Sequence, residues 1–170
     1  DYVVVFAGTS QFQESEGEDQ TSLQLPEDID FLITEIANVN KNVVVVLQNG
    51  APLEMPWVDD VKGILETYMC GEGGGRATAN ILFGLVNPSG HLAETFPKCL
   101  ADTPTADNYP VTYDDISYQE TFYVGYRFYD KYEIDVLFPF GHGLSYTSFK
   151  YDNIRLQKVE NNCEFDFTIL

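Results

Sequence analysis

Two short runs of unbroken apolar residues, Tyr2 to Ala7 and Val43 to Leu47, constrain the fold of this chain more than any other feature. A strand with one face in water alternates apolar and polar side chains. A strand without alternation has to be covered on both faces, which is the condition of a parallel sheet. Between the runs, Leu25-Pro26-Glu27-Asp28 reads as a helix start, with Pro in the first turn and two acids at the positive end of the helix dipole. Ile29, Leu32, Ile33 and Ile36 recur at helical spacing and predict one face packed on the sheet. Gly63 to Thr67 reads as a third strand. Gly71-Glu72-Gly73-Gly74-Gly75 reads as a loop feeding a helix over Arg76 to Phe83. Asn87-Pro88-Ser89-Gly90 is a turn signal, and Leu92 to Phe96 an edge strand ended by Pro97. This succession predicts an α/β fold: a mostly parallel, doubly wound sheet flanked by helices, an α/β sandwich.

The second half follows other rules. Ala101 to Tyr118 is rich in Asp, Thr and Tyr without a period and reads as a surface loop. Phe122 to Tyr129 is aromatic and β-prone, and Leu137 to Thr147 is punctuated by glycine. From Phe149 the pattern becomes alternation, through Tyr151, Ile154 and Leu156 and then Glu164 to Leu170, as in the first strands of an all-β module. Two domains are expected, 1–149 and 150–170. The chain starts in mid-strand without Met and stops on a strand, so both ends read as cuts through a longer polypeptide: the first domain N-terminally truncated, the second incomplete.

The 170 residues are 44% hydrophobic, enough for a core, and carry a formal net charge of −18. That charge repels phosphate backbones and argues against nucleic acid as a partner. No apolar run reaches the ~18 residues of a membrane helix. The three cysteines are widely spaced and form no disulfide framework, and no CxxC metal pattern occurs.

Chemistry concentrates in the polar loop after the first strand, Phe12-Gln13-Glu14-Ser15-Glu16-Gly17-Glu18-Asp19-Gln20. Ligand sites of open α/β sheets lie beyond the carboxyl ends of the strands, where this loop sits. Gly17 permits a backbone conformation that turns the preceding side chain outward. Four carboxylates within six residues raise one another's proton affinity if held close, which suits a proton donor; on composition alone a mobile acidic loop is the first reading. The Gly71 to Gly75 loop resembles a dinucleotide loop, but Arg76 falls on the third fingerprint glycine and no P-loop Lys-Ser/Thr follows, so tight helix–sheet packing is the better reading. His91 and His142 are isolated and read as structural or surface residues. Trp57 and Tyr109, Tyr113, Tyr118, Tyr123, Tyr126 and Tyr129 could stack on sugar rings, but read first as core or interface. Arg127, among aromatics, reads as structural.

The motifs, in order, resemble glycoside hydrolase family 3. They run from Val4-Val5-Phe6-Ala7-Gly8 through Glu14-Ser15-Glu16-Gly17-Glu18-Asp19 and Leu23-Gln24-Leu25-Pro26 to Val44-Val45-Val46-Leu47-Gln48-Asn49-Gly50-Ala51-Pro52, Trp57 and Gly71-Glu72-Gly73-Gly74. Ile81-Leu82-Phe83-Gly84, Asn87-Pro88-Ser89-Gly90-His91-Leu92, Thr95-Phe96-Pro97 and Val124-Gly125-Tyr126-Arg127 follow, and Phe138-Pro139-Phe140-Gly141-His142-Gly143-Leu144-Ser145-Tyr146-Thr147 closes the series. The ordered set is similar to the C-terminal α/β sandwich domain of the β-glucosidase type, over Asp1 to Phe149. The segment from Lys150 looks like the start of a fibronectin-III-like domain.

The resemblance implies a retaining β-glycosidase acting on terminal β-D-glucosyl or related residues. An Asp on an N-terminal (β/α)8 barrel of the same polypeptide attacks the anomeric carbon. A Glu of the sandwich domain protonates the leaving oxygen and then deprotonates water. Glu16 matches that acid/base in the Ser-Glu-Gly motif, with Glu14 as runner-up. The nucleophile lies outside the chain, so the chain alone is expected to be inactive. No cofactor and no metal are called for. A non-catalytic carbohydrate-binding or scaffold domain of the same fold is the alternative. Departures from the family pattern are Gln20, where Arg is frequent and could orient a carboxylate, and Ala93, His91, Cys70 and Glu72 in scaffold positions.

Overall fold

The computed structural model describes residues 1–109, 117–159 and 162–169. Three strands, β1 (Val3–Gly8), β2 (Val43–Gln48) and β3 (Gly63–Glu66), form a parallel sheet in the order β1-β2-β3. Val5 pairs with Val45 and Val45 with Ile64, so the carboxyl ends of all three strands open on one edge. The expected parallel sheet is therefore present.

β2, in the middle, is buried nearly throughout; Val43, Val45, Val46 and Leu47 are sealed. β1 departs from the expectation of burial on both faces. Val5 and Ala7 point into the core, but Tyr2, Val4 and Phe6 are exposed, Phe6 to 68%. β1 lies at the sheet edge, and the described residues provide no cover for its second face.

Helix α1 (Glu27–Val39) crosses from β1 to β2. Pro26 caps it, and Glu27, Asp28 and Asp30 stand in its first turn. At the other end Lys41 Nζ donates to the carbonyl of Ala37 at 2.9 Å, satisfying one of the free C-terminal carbonyls. Ile33 and Ala37 are buried, with Ile29 and Ile36 packed beside them. Leu32, expected on that face, is largely exposed. Trp57 is fully buried, and its Nε1 donates to Asp30 Oδ1 at 2.7 Å, pinning the loop after β2 to the first turn of α1.

Helix α2 spans Gly74–Leu82, two residues earlier than the glycine loop suggests. A Cβ at Gly74 would come within 2.5 Å of Cys70 Cβ, so the glycine serves the close approach of helix to loop. The edge strand expected over Leu92 to Phe96 shrinks to β4 (Phe96–Pro97). Pro97 belongs to it and pairs with Val136 of β5 (Val136–Phe138), antiparallel and irregular in register. Leu92 exchanges backbone bonds with a loop instead, to His142 O and from Gly141 N–H. The segment expected to be β-prone, Phe122 to Tyr129, is also corrected: helix α3 covers Tyr126–Tyr132. Gly125, at φ +58°, turns the chain into it, and Phe128 packs on Tyr132 one turn later. The alternation after Phe149 forms an antiparallel hairpin, β6 (Tyr151–Val159) and β7 (Asn162–Ile169). Among the described residues no helix is long and apolar enough to cross a membrane.

Candidate active site

The carboxyl edge of the sheet opens into a cleft of about 750 Å³. Gly8, Gln48 and Thr67, at or just past the ends of the three strands, line its floor, together with Ser10, Glu14 and Met69. The acidic loop leaves β1 here. A Cβ at Gly8 would meet the carbonyl oxygen of Gln48 at 2.1 Å, so only glycine lets the chain leave the sheet at this point.

The loop is held at two points on either side of Glu16. Ser10 to Glu14 form a turn in which the N–H groups of Gln13 and Glu14 donate to Ser10 O. The Glu14 carboxylate then accepts from Gly50 N–H at 2.8 and 3.0 Å and from Ala51 N–H at 3.1 Å. Further on, Tyr109 Oη donates to Asp19 Oδ1 at 2.5 Å. Between these anchors Glu18 N–H closes a turn on Ser15 O. Its third residue is Gly17 at φ +86°, the position where a type II turn requires glycine. Glu16 is the second residue of that turn and is exposed. Glu14 is committed to the backbone of another loop, which sets it apart from Glu16.

The crowding of carboxylates expected within the loop falls elsewhere. Glu14 meets Glu66, at the end of β3, and Glu94, before β4. Burial, which outweighs a 2.7 Å bond from Tyr68 N–H, pushes the Glu66 carboxyl up to about 7, and Glu94 and Glu14 add to the rise. Burial, then Glu14, raises Glu94 as well. Asn49, wholly buried, lies against Glu66. None of Asn49, Glu66 and Glu94 stands out in the sequence. The signal that could have found them is positional: Asn49 directly follows β2, which neighbours the strand that feeds the acidic loop, and Glu66 ends β3 on the far side of β2. Among the described residues no group of His, Cys, Asp and Glu is arranged to hold a metal ion.

The remaining sequence candidates sort by packing. Trp57 and Tyr129 are core. Tyr118, Tyr123 and Tyr126 are exposed, Tyr126 stacked on Phe140 at 5.0 Å; Tyr113 lies outside the described residues. His91 Nδ1 is 2.8 Å from Gly141 O, and His142 stacks on Phe138. Arg127 is exposed. Asn87 binds Ser145 Oγ at 2.8 Å and accepts from Tyr146 N–H at 2.9 Å, locking two distant motifs together.

Fold and edge together define an α/β domain that presents a carboxylate on a glycine turn beyond its parallel strands. The family model for the glycosyl hydrolase family 3 C-terminal domain matches residues 1–146. The chain belongs to that family. It is 52% identical over 160 residues to a thermostable beta-glucosidase B of Acetivibrio thermocellus, covering 94% of this chain and 21% of the relative. It is 41% identical over 163 residues to an exo-alpha-(1->6)-L-arabinopyranosidase of Bifidobacterium breve, covering 95% and 22%. A crystal structure of a family 3 beta-glucosidase from Bifidobacterium adolescentis superposes with a TM-score of 0.91 at 41% identity, covering 99% of this chain and 25% of that one. The chain thus spans about a fifth of the length of the curated relatives it matches.

Proposed function

We propose that this chain is the acid/base-bearing domain of a retaining β-glycosidase acting on terminal β-D-glucosyl or related residues. Glu16 protonates the leaving glycosidic oxygen and then, as carboxylate, takes a proton from the attacking water. The nucleophile is an Asp of an N-terminal (β/α)8 barrel in the same polypeptide, brought to roughly 5 Å from Glu16, as retention of configuration requires. The domain boundary falls at 149/150. The doubly wound sandwich ends there, and β6 and β7 begin a fibronectin-III-like module.

One observation carries this reading: Glu16 stands exposed on a glycine turn between two anchors, at the carboxyl edge of the sheet. A proton donor serving a bond held by another domain needs that exposure and that fixed base. The names of the relatives support a glycoside substrate, and their divergence, glucoside against arabinopyranoside, leaves the choice of sugar to the barrel.

The test is Glu16→Ala in the barrel-containing polypeptide. Turnover of an unactivated glucoside should collapse, and azide should restore part of it on an aryl glycoside with a good leaving group. Unchanged turnover rejects the assignment. Calorimetry of the chain alone with glucose should give little heat; tight binding would favour a carbohydrate-binding module of the same fold.

A further inference from the structure

The chain holds two methionines, and the fold treats them in opposite ways. Met55 is sealed in the core at 5% exposure, while Met69 is 61% exposed on the wall of the cleft. Met69 is placed there at the cost of backbone strain. Tyr68, the residue before it, sits at φ +51°, a left-handed conformation that a bulky side chain adopts only when its surroundings impose it. Two bonds impose it here: Tyr68 N–H donates to Glu66 Oε1 at 2.7 Å, and Tyr68 Oη accepts from Ala93 N–H at 3.3 Å. Cys70 N–H then closes on Tyr68 O at 3.2 Å, a three-residue turn with Met69 at its centre. The turn sets the Met69 methyl beside the anchor of the acidic loop. A Cβ at Gly50 would stand 3.1 Å from Glu14 Oε2 and 3.4 Å from Met69 Cε, so carboxylate and thioether flank the same residue.

We propose that Met69 is a modification site and a positioning residue: its thioether lies beside the Glu14–Gly50 anchor, and oxidation of its sulfur by a peroxide releases that anchor and with it the Glu16 turn. A lone pair of Met69 Sδ attacks one oxygen of hydrogen peroxide, and an S–O bond forms as the O–O bond breaks. The proton of the transferred oxygen passes to the departing hydroxide, which leaves as water. Sulfur gives up two electrons and the peroxide takes them, so a flexible apolar side chain becomes a polar sulfoxide.

The two oxidation states act differently on the anchor. A thioether is a weak acceptor, so it leaves Gly50 and Ala51 N–H to the Glu14 carboxylate. A sulfoxide oxygen in the same place is a strong acceptor. It competes for Gly50 N–H and sets partial negative charge beside Glu14. Glu14 lies two residues before Glu16, so a carboxylate freed from Gly50 and Ala51 lets the acid/base turn move. Gly50 and Met69 are both exposed, so a water-borne oxidant reaches this sulfur, while the core keeps it from Met55.

The consequence for turnover rests on Glu16 being the acid/base, but the first two tests do not. In the barrel-containing polypeptide treated with hydrogen peroxide, peptide mass mapping should find one added oxygen on Met69 before any on Met55; the reverse order overturns the proposal. Amide hydrogen exchange over Asn49 to Leu53 should quicken on oxidation, in the parent and in Glu16→Ala alike, and unchanged exchange overturns release of the anchor. Peroxide should lower the kcat of the parent about tenfold with KM little changed, and a methionine sulfoxide reductase should restore it. Met69→Leu keeps an apolar side chain beside Gly50 without an oxidisable sulfur, so its ratio of treated to untreated kcat should stay near one. Equal loss in the parent and in Met69→Leu places the damage elsewhere and overturns the switch. Met69→Gln, polar at that place without any oxidant, should reproduce the loss of kcat. Should Glu16→Ala leave turnover intact, the acid/base reading fails by itself, and the exchange result still decides whether Met69 guards the anchor.

Discussion

Two regions built from family motifs are held in opposite ways. Asn87 to Leu92 and Gly141 to Tyr146 grip each other through the Asn87–Ser145 pair, Tyr146 N–H on Asn87 Oδ1, His91 Nδ1 against Gly141 O, and a pair of backbone bonds at Leu92, and Tyr146 Oη adds a bond to Ile81 O of α2. The Glu16 loop, by contrast, is exposed and tied down by one carboxylate and one tyrosine hydroxyl. The contrast teaches that the motifs which most clearly mark the family are staples, while the residue we propose as the acid/base sits on a loop with few bonds. Binding and catalytic groups often occupy loops positioned by a rigid scaffold.

That contrast can be broken or sharpened by substitution. The largest effect is expected at Glu16: Glu16→Ala should cost about 10²- to 10⁴-fold in kcat on a poor leaving group, the range of general acid catalysis, with the melting temperature unchanged. Glu14→Ala should come next. It frees one anchor and should lower kcat by about 10- to 100-fold, since small misplacement of a catalytic group is costly. Asn87→Ala should do the reverse. It removes the partner of Ser145 and Tyr146 and should cost about 1–3 kcal/mol of stability by denaturant unfolding, with kcat retained. If Asn87→Ala lowered kcat as strongly as Glu14→Ala, the division into staple and site would fail.

The Glu66 acid gives a pH test of stability. Its folded value lies above its unfolded one, so its contribution is fully present below pH 4.5 and is lost as the pH rises toward about 7. Unfolding free energy should therefore fall across that window by up to about 3 kcal/mol from this group, and Glu66→Gln should flatten the slope. Asp30 and Glu94, raised mainly by burial, add in the same direction. The smallest effect is expected for Tyr109→Phe. The lost bond to Asp19 is exposed, so the denaturant midpoint should stay where it is, with any effect confined to kcat.

The elements legible in the sequence are those whose burial is extreme. Val43 to Leu47 has no polar residue and became the central strand, buried nearly throughout, and the apolar spacing of Ile29, Ile33 and Ile36 marked α1. Where burial is partial, local preference misled. Tyr126 to Tyr132 is rich in β-prone aromatics, yet the glycine turn at Gly125 and the packing of Tyr129 into the protein make it helical. Leu32 obeys the spacing but rotates past the edge of the packed face. At the candidate site, the Glu16 loop was legible as a contiguous acidic stretch with a glycine turn, and Glu16 itself was singled out by the Ser-Glu-Gly motif of the family. Asn49 and Glu66 could not, because they lie 17 positions apart in the chain and meet through the register of β2 and β3. Their chemistry exists only once the parallel strands align.

The open side of β1 has a consequence for handling. Tyr2, Val4 and Phe6 form an oily strip along an edge whose outward amides and carbonyls have no strand beside them among the described residues. Such an edge invites stacking of copies. A formal net charge of −18 supplies a mutual repulsion that opposes such stacking. Acidification into the carboxylate range, or concentrated salt, strips that repulsion away. Clouding under those conditions should set in well before the core melts, and light scattering would register it while far-ultraviolet dichroism stayed native.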